Sequence, residues 1–403
     1  MNHFAAVLGF VVVMSPSQAG PPSALWSADV SEKGALYTTV RWAGFSPDGR
    51  RLVVRTLDQP PRPDVTPGTF HPSDMRAATS RLFAWHTEAW REAYLLEIGT
   101  VGEFTLGPPA AFLPNGNLLL VEKELVVERG ADGRPTGQEA PGPSTLWLRG
   151  LWALNSGTAY FALTPDKDGR ASGETELHRR LLPFSPMSGG QLTNPKKPAR
   201  FPYPAVLDRG VNVAAISQDG TRLAQAYYRN LRSSWLTLSR LGAVNRVEVK
   251  HLTRGDATKV EAGAVSALVF TPDGRVLASG GADGSVRLYD VPRADEGLVH
   301  RATVRSAPEA EEARGTVFSL AFSPDGKVLA IGIGYAEPAN VLLADADSGR
   351  LLRTFRAGGQ KQVGRSGHAV MTLAFSPDGK QLVTGTSTGS VQVWETSSLL
   401  SGK

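Results

Sequence analysis

The sequence predicts an all-β chain, a seven-bladed β-propeller of four-stranded antiparallel blades, on three observations. One phrase recurs seven times, it recurs at a nearly fixed step, and each copy joins turn chemistry to alternating apolar residues. The clearest copies are FSPDGRRLVV at Phe45, FTPDGRVLASG at Phe270, FSPDGKVLAIG at Phe322 and FSPDGKQLVTG at Phe375. Weaker ones read FLPNGNLLLV at Phe112, LTPDKDGR at Leu163 and ISQDGTRLAQA at Ile216. From Phe112 onward the steps are 51, 53, 54, 52 and 53 residues. The first step, from Phe45, is 67, and its surplus sits in the Pro- and Gly-rich DQPPRPDVTPGTFHPSD at 58–74, an inserted loop. A period of this size marks a repeat architecture in which each unit stacks on its neighbours.

The phrase also says what each unit is. In Ser-Pro-Asp-Gly, Pro fixes φ at the second position, Asp bonds back to its own backbone, and Gly takes a conformation that a side chain forbids; the segment is a tight turn. Apolar residues lead into it and alternate after it, as in half-buried strands. A second turn, GADGS in one copy and STGS in another, leads to VRLYD or VQVWE, again alternating. Each unit therefore holds at least three short antiparallel strands. Seven such sheets standing apart would each expose two edges and an apolar face, whereas a radial arrangement buries face against face.

The chain ends fit a closed ring. Residues 4–14, FAAVLGFVVVM, form an uncharged apolar run, and SPSQAGPPS follows with Ser17 and Ala19 in the small-residue cleavage pattern. Residues 1–19 are thus expected to be a signal peptide and residues 20–403 a single propeller, although MNH before the run supplies no Lys or Arg. The run is too short to span a bilayer as a helix. Next comes SALWSADVS, 23–31, a strand to spare ahead of the first copy. The seventh copy ends at Trp394 and Glu395 with eight residues left, one strand short. Pairing the N-terminal strand into the last blade is expected to close the ring.

Composition agrees and excludes some chemistry. The 43 Gly and 28 Pro among 403 residues suit many turns. A net charge of +5 spread over that length makes no electrostatic footprint. The tight basic run, Lys196, Lys197 and Arg200, lacks the interleaved aromatic residues of a nucleic-acid groove and reads as a solvated loop. With no cysteine there are no disulfides, thiolate metal sites or cysteine nucleophiles. The seven histidines lie too far apart in sequence for a local metal pair, although a propeller can gather ligands from several blades near its axis.

The last three copies resemble WD40 repeats: FTPDGRVLASGGADGSVRLYD, FSPDGKVLAIG with VLLADADSGRLLRTF, and FSPDGKQLVTGTSTGSVQVWE preceded by Gly367 and His368. The resemblance is strong from about residue 260 onward, and the first four copies are closer to looser, periplasmic-type propellers. It implies a hydrogen-bonded set of Trp, Ser or Thr, His and Asp in each blade. The seventh copy offers Trp394, Thr384 and His368 with Thr388 at the Asp position; the fifth offers Ser279 and Asp283 with Gly263 and Tyr289 at the others.

Five further stretches suggest chemistry or contact, and each has a plainer structural reading. GTSTG, Gly385–Gly389, fits a nucleophile elbow, but Gly389 matches Gly284 in the repeat, so Ser387 belongs to a strand-to-strand turn. DKDG at 166–169 and DADSG at 345–349 lack the remaining ligands of a calcium loop and read as turns. HTEAWRE, 86–92, reads as an exposed outer strand, and PEAEEAR, 308–314, as a loop between blades.

A rigid disc with loops on both faces favours binding other macromolecules. The expectation is a non-enzymatic protein–protein interaction scaffold, monomeric, periplasmic or secreted, without cofactor, metal or nucleic acid. Its contact face is expected in the loops entering the first strand of each blade and in the turns between second and third strands, with Arg209, Asp283, Arg314, Glu337 and His368 as candidate residues. Two other readings stay open: a propeller enzyme, hydrolase or lyase, with its site in the central channel, and a cytoplasmic scaffold whose N-terminal apolar run is no signal.

Overall fold

The computed structural model describes residues 22–35, 37–59, 78–100, 108–122, 125–141, 146–154, 158–167, 170–171, 176–181, 205–206, 211–230, 233–241, 250–251, 258–260, 264–293, 297–305, 315–334, 340–358 and 369–401. They form seven antiparallel sheets. Blade 1 runs Tyr37–Phe45, Arg51–Gln59, Thr79–His86, Arg91–Thr100. Blade 2 runs Ala110–Phe112, Leu118–Glu122, Leu125–Arg129, Pro135–Pro141. Blade 3 runs Leu146–Ala153, Thr158–Lys167, Glu176–Leu181, Ala205–Val206, with Arg170–Ala171 beside its second strand. Blade 4 runs Val211–Ile216, Arg222–Asn230 and Ser233–Arg240, whose free edge is met by both Lys250–His251 and Thr258–Val260. Blade 5 runs Val265–Phe270, Val276–Gly281, Ser285–Asp290, Val299–Arg305. Blade 6 runs Thr316–Phe322, Val328–Gly334, Val341–Asp345, Leu351–Phe355. Blade 7 takes three strands from the C-terminus, Val370–Phe375, Gln381–Thr386 and Ser390–Glu395, and its fourth from the N-terminus, Trp26–Asp29.

Blades pack face to face through small residues in their second strands. Gly280, Gly332 and Gly385 occupy matching positions, and a Cβ on each would fall 2.4 Å from Val317 Cγ1, 2.8 Å from the Val370 carbonyl oxygen and 2.4 Å from Val40 Cγ1, each in the following blade. Glycine is required there by close approach. Around these contacts buried aliphatic side chains form continuous clusters between blades 4 and 5, 5 and 6, 6 and 7, 7 and 1, and 1 and 2. The contact from Gly385 to Val40 joins the last blade to the first, beside the N-terminal strand paired into blade 7.

That strand is held on both flanks. Trp26 stacks on Trp90 at 4.8 Å between ring centroids and meets Trp85 edge-on at 5.0 Å, reaching from blade 7 into blade 1. Beyond it, Arg81 of blade 1 pairs with Glu32 at 2.7 Å and with Asp58 at 2.6 Å, and it donates to the Val30 carbonyl. Apolar packing and a charged clasp thus fix the segment that crosses the seam. At the other terminus a short helix, Thr396–Ser401, buries Leu399 beside Trp394 and Phe355. Among the described residues no helix is long and apolar enough to cross a membrane.

Two readings of local sequence are corrected. Leu163 does not precede a turn: it lies inside Thr158–Lys167, opposite Leu148 on one side and Glu176 on the other. The first-to-second-strand connection of blade 3 falls at Leu154 to Gly157, where LNSG lacks the Pro and Asp that mark the other copies. HTEAWRE is a turn, not a strand. His86 ends the third strand of blade 1, Arg91 begins the fourth, and Trp90 between them takes φ +49°, rare for a bulky residue, while stacking on Trp26.

Candidate functional site

One end of the ring is built from the repeated turn. In blades 1, 4, 5, 6 and 7 a hydroxyl (Ser46, Ser217, Thr271, Ser323, Ser376) donates to the Asp two residues later at 2.5–2.7 Å. The same Asp accepts a backbone N–H two residues further on, at 3.0–3.1 Å. The same hydroxyl oxygen accepts the N–H that opens the second strand, as from Arg51 and Val328 at 2.9 Å. Gly follows at φ +69° to +72°, a conformation in which a side chain is strained. Gly326 lies against Pro272 of the preceding blade, Gly379 against Pro324, and Gly49 against Pro377, so the turns themselves stack around the ring and across the seam.

These bonds stabilise the ionised carboxylates. The Ser46 hydroxyl holds Asp48 below its usual 3.8, and Asp325 and Asp378 are held down in the same way by Ser323 and Ser376. At Asp219 and Asp273 partial burial pushes up, and the hydroxyl and backbone donors together outweigh it.

Inside the ring the first strands carry a repeated β-bulge. The register slips between Val40 and Trp42, Val211 and Val213, Val265 and Ala267, Val317 and Ser319, and Val370 and Thr372, with a matching slip at Leu148 and Gly150 in blade 3. A bulge inserts one residue and re-aims it. Four of the inserted residues, Arg41, Ser266, Phe318 and Met371, line a central cavity of about 1070 Å³. Its wall mixes Trp42, Phe112, Trp152, Leu268, Leu320 and Leu373, on different blades, with polar residues such as Arg55, Ser80, Gln218, Ser319 and Thr372. The bulge was legible in principle: Val40, Val265, Val317 and Val370 each stand five residues before the motif Phe. Strict alternation would put such a pair on opposite faces, yet Val265 and Phe270, and Val317 and Phe322, are both buried. The inserted residues themselves share no residue type, so sequence reasoning did not single them out.

The residues expected at the contact face fare differently. Asp283 sits in the turn between the second and third strands of blade 5 with its side chain 14% exposed. It accepts the Ser285 N–H at 3.1 Å, the Ser285 hydroxyl at 2.8 Å and the Arg287 guanidinium at 3.2 Å, so its carboxylate holds the shape of the rim. Arg209, Arg314, Glu337 and His368 lie outside the described residues. In blade 7 the Trp394 indole N–H donates to Thr384 Oγ1 at 3.1 Å, the pair the resemblance implied. Ser387 is a turn residue whose hydroxyl accepts the Ala369 N–H at 3.1 Å. Asp345 ends the third strand of blade 6 and accepts both the N–H and the hydroxyl of Ser348, making DADSG a turn. Among the described residues no cluster of three His, Asp or Glu side chains could hold a metal.

Known proteins share these repeats. The family model described as "WD domain, G-beta repeat" matches residues 257–290 and 359–395. WD repeat-containing protein VIP3 of Arabidopsis thaliana is 32% identical over 138 residues, which make up 32% of this chain and 39% of that protein. Small ribosomal subunit protein RACK1 of Schizosaccharomyces pombe is 29% identical over 133 residues, 33% of this chain and 38% of that one. The guanine nucleotide-binding protein subunit beta of Arabidopsis thaliana is 30% identical over 132 residues, 33% of this chain and 32% of that one. The chain thus spans about a third to two fifths of the length of these relatives. Among solved structures, the β-propeller domain of Cps50 (Swd1) from Myceliophteria thermophila aligns with a TM-score of 0.58 at 15% identity, over 93% of this chain and 99% of that one, a likeness of fold. By its repeats the chain is similar to WD40-repeat proteins over residues 257–290 and 359–395, and by its fold it is similar to a β-propeller.

Proposed function

We propose that the protein is a non-enzymatic interaction scaffold that binds a protein partner through the loops on the face opposite the stacked turns, and that it does so as an exported monomer. The observation that carries this reading is the locked ring. Hydroxyls and turn carboxylates lock each turn, and close-packed glycines hold blade to blade, which leaves a rigid platform whose loops are free to vary in sequence. Two relatives support it by their printed names, since a small ribosomal subunit protein and a guanine nucleotide-binding protein subunit are each parts of larger assemblies. Export rests on residues 1–19 alone, which lie outside the described residues.

The test is affinity purification of a tagged copy from fractionated cells, with mass spectrometry of its N-terminus and of the proteins that co-purify. The reading expects a stoichiometric partner and a mature chain beginning at Gly20. Joint substitution of Arg209, Arg314, Glu337 and His368 by Ala is expected to release that partner with the melting temperature unchanged. Asp283 is left out of the set because its loss would loosen the turn it braces. A partner retained by the quadruple variant would contradict the assigned face, and a mature chain that keeps residues 1–19 would contradict export.

A further inference from the structure

In blades 1, 2 and 6 the turn between the third and fourth strands lies against the fourth strand of the preceding blade. Blade 2 places Gly133 there at φ +78°, where a Cβ would fall 2.9 Å from the ring of Tyr94 in blade 1. Blade 6 places Gly349 there at φ +71°, where a Cβ would fall 3.0 Å from the Ala302 Cβ in blade 5. An arginine follows each glycine, and the carbonyls of Arg134 and Arg350 accept the N–H of Gly130 and Asp345 across the turn at 2.9 Å. Blade 1 has Trp90 at the matching position, followed by Arg91 opposite His86, and the strand it meets is the N-terminal one, through Trp26. Among the described residues, Trp90 at φ +49° is the only residue with a positive φ that is not glycine. A side chain in that conformation crowds its own backbone, so the turn by itself favours glycine. Strain of this kind persists where the surroundings fix it, and what fixes Trp90 is its stack on Trp26.

By its own pairing that strand is lightly held. None of the four residues Trp26–Asp29 is fully buried and Leu25 before them is 54% exposed, whereas Val276–Gly281 in blade 5 is buried throughout. Terminal segments with few buried contacts open at low free energy. Arg81 grips the far end of the segment at Val30 and Glu32, and Trp90 grips the near end. The strain at Trp90 belongs to the turn and remains whether or not the strand is in place, but the stack exists only when it is. We propose that Trp90 is the latch on a detachable strap: the N-terminal strand leaves the ring as a unit before the blades unfold, and the stack of Trp90 on Trp26 sets how often it does. Release bares the hydrogen-bonding edge of Ser390–Glu395 and uncovers Trp85. The device is independent of the scaffold reading, since no partner takes part in it.

The test is native-state hydrogen exchange of the full chain at low denaturant. The amides of Leu25 and Val30, which donate to the Val393 and Gly389 carbonyls, are expected to exchange through an opening of weak denaturant dependence, ahead of the amides of Val276–Gly281. Trp90→Gly should speed the two seam amides roughly tenfold relative to blade 5, the scale of one lost aromatic pair, while Trp90→Phe keeps them slow. Equilibrium unfolding gives a second readout. Trp90→Gly should raise the denaturant midpoint in a Trp26→Ala background, where it only relieves strain, and should bring no gain with Trp26 in place, where it also removes the stack. Should a variant fail to fold, exchange in the unaltered chain decides. Seam amides that exchange only together with blade 5, seam exchange unmoved by Trp90→Gly, or one and the same midpoint change in both backgrounds would each overturn the proposal.

Discussion

Asp48, Asp219, Asp273, Asp325 and Asp378 each accept a hydroxyl and a backbone N–H within their own turn, and each is held below the usual carboxylate value. A carboxyl whose folded value is depressed contributes stability that is present above its unfolded value and lost as pH falls through the folded one. Denaturant midpoints should therefore be level near neutrality and fall from about pH 4 downward. Changing several of these aspartates to Asn, which accepts the same N–H bonds without titrating, should lower the neutral-pH midpoint and flatten the acid slope. A slope unchanged in that variant would show that other groups govern the acid response. The Trp394–Thr384 pair is a second single-residue test: Trp394→Phe or Thr384→Val should each cost about 1 kcal/mol from the hydrogen bond, with the double variant losing little more than either. Additive losses in that cycle would mean that the bond contributes nothing. These residues were legible because a tight turn restricts residue type. Arg41 and Met371 were not, since a bulge restricts the backbone and leaves the side chain free to differ in every blade.

The second strand of each blade is where neighbouring sheets approach most closely. A Cβ at position 385 would lie 2.4 Å from Val40 and 2.7 Å from Thr372, so Gly385→Ala should cost roughly 1–3 kcal/mol through overpacking. Equilibrium unfolding of Gly385→Ala beside Val40→Ala and the double variant tests this, because trimming Val40 should restore part of the loss. The closing strand is the other decisive element. Deleting residues 20–33 removes Trp26 from between Trp85 and Trp90, takes Val30 and Glu32 away from Arg81, and bares the edge of Ser390–Glu395. Thermal melting should become broad and shift well below the full chain. Trp26→Ala alone should cost about 2 kcal/mol, because its ring is only partly covered. An unchanged melt of the deletion would mean that the ring is held without its N-terminal strand. This strand could be read from sequence because the last copy ran out one strand short. The third blade was misplaced for the opposite reason: a fortuitous LTPDKDGR begins inside its second strand, while the stretch that joins its first two strands, LNSG, carries no Pro-Asp-Gly to mark it.

At the scale of the molecule, seven sheets repeat one design, and the seam between the last and the first is built like the other junctions where they are best defined. Gly385 meets Val40 as Gly280 meets Val317, and Gly49 lies against Pro377 as Gly379 lies against Pro324. Periodicity in the sequence carried the architecture because a propeller must present the same apolar faces at every junction. It carried little about the partner, because loops exposed to solvent obey no such constraint. The claim on which the rest depends is that the two ends of the chain meet in one blade. Ser27 and Gln392 stand opposite each other in that pairing, and the chain has no cysteine of its own. The most direct test is the Ser27→Cys, Gln392→Cys double variant, oxidised under native conditions and followed by non-reducing electrophoresis and melting. The account predicts quantitative formation of an intramolecular disulfide, since neighbouring strands bring Cα atoms within the roughly 4.4–6.8 Å that the bond requires, together with a higher melting temperature that reduction reverses. Two thiols that stay free, or that link only between molecules, would contradict it.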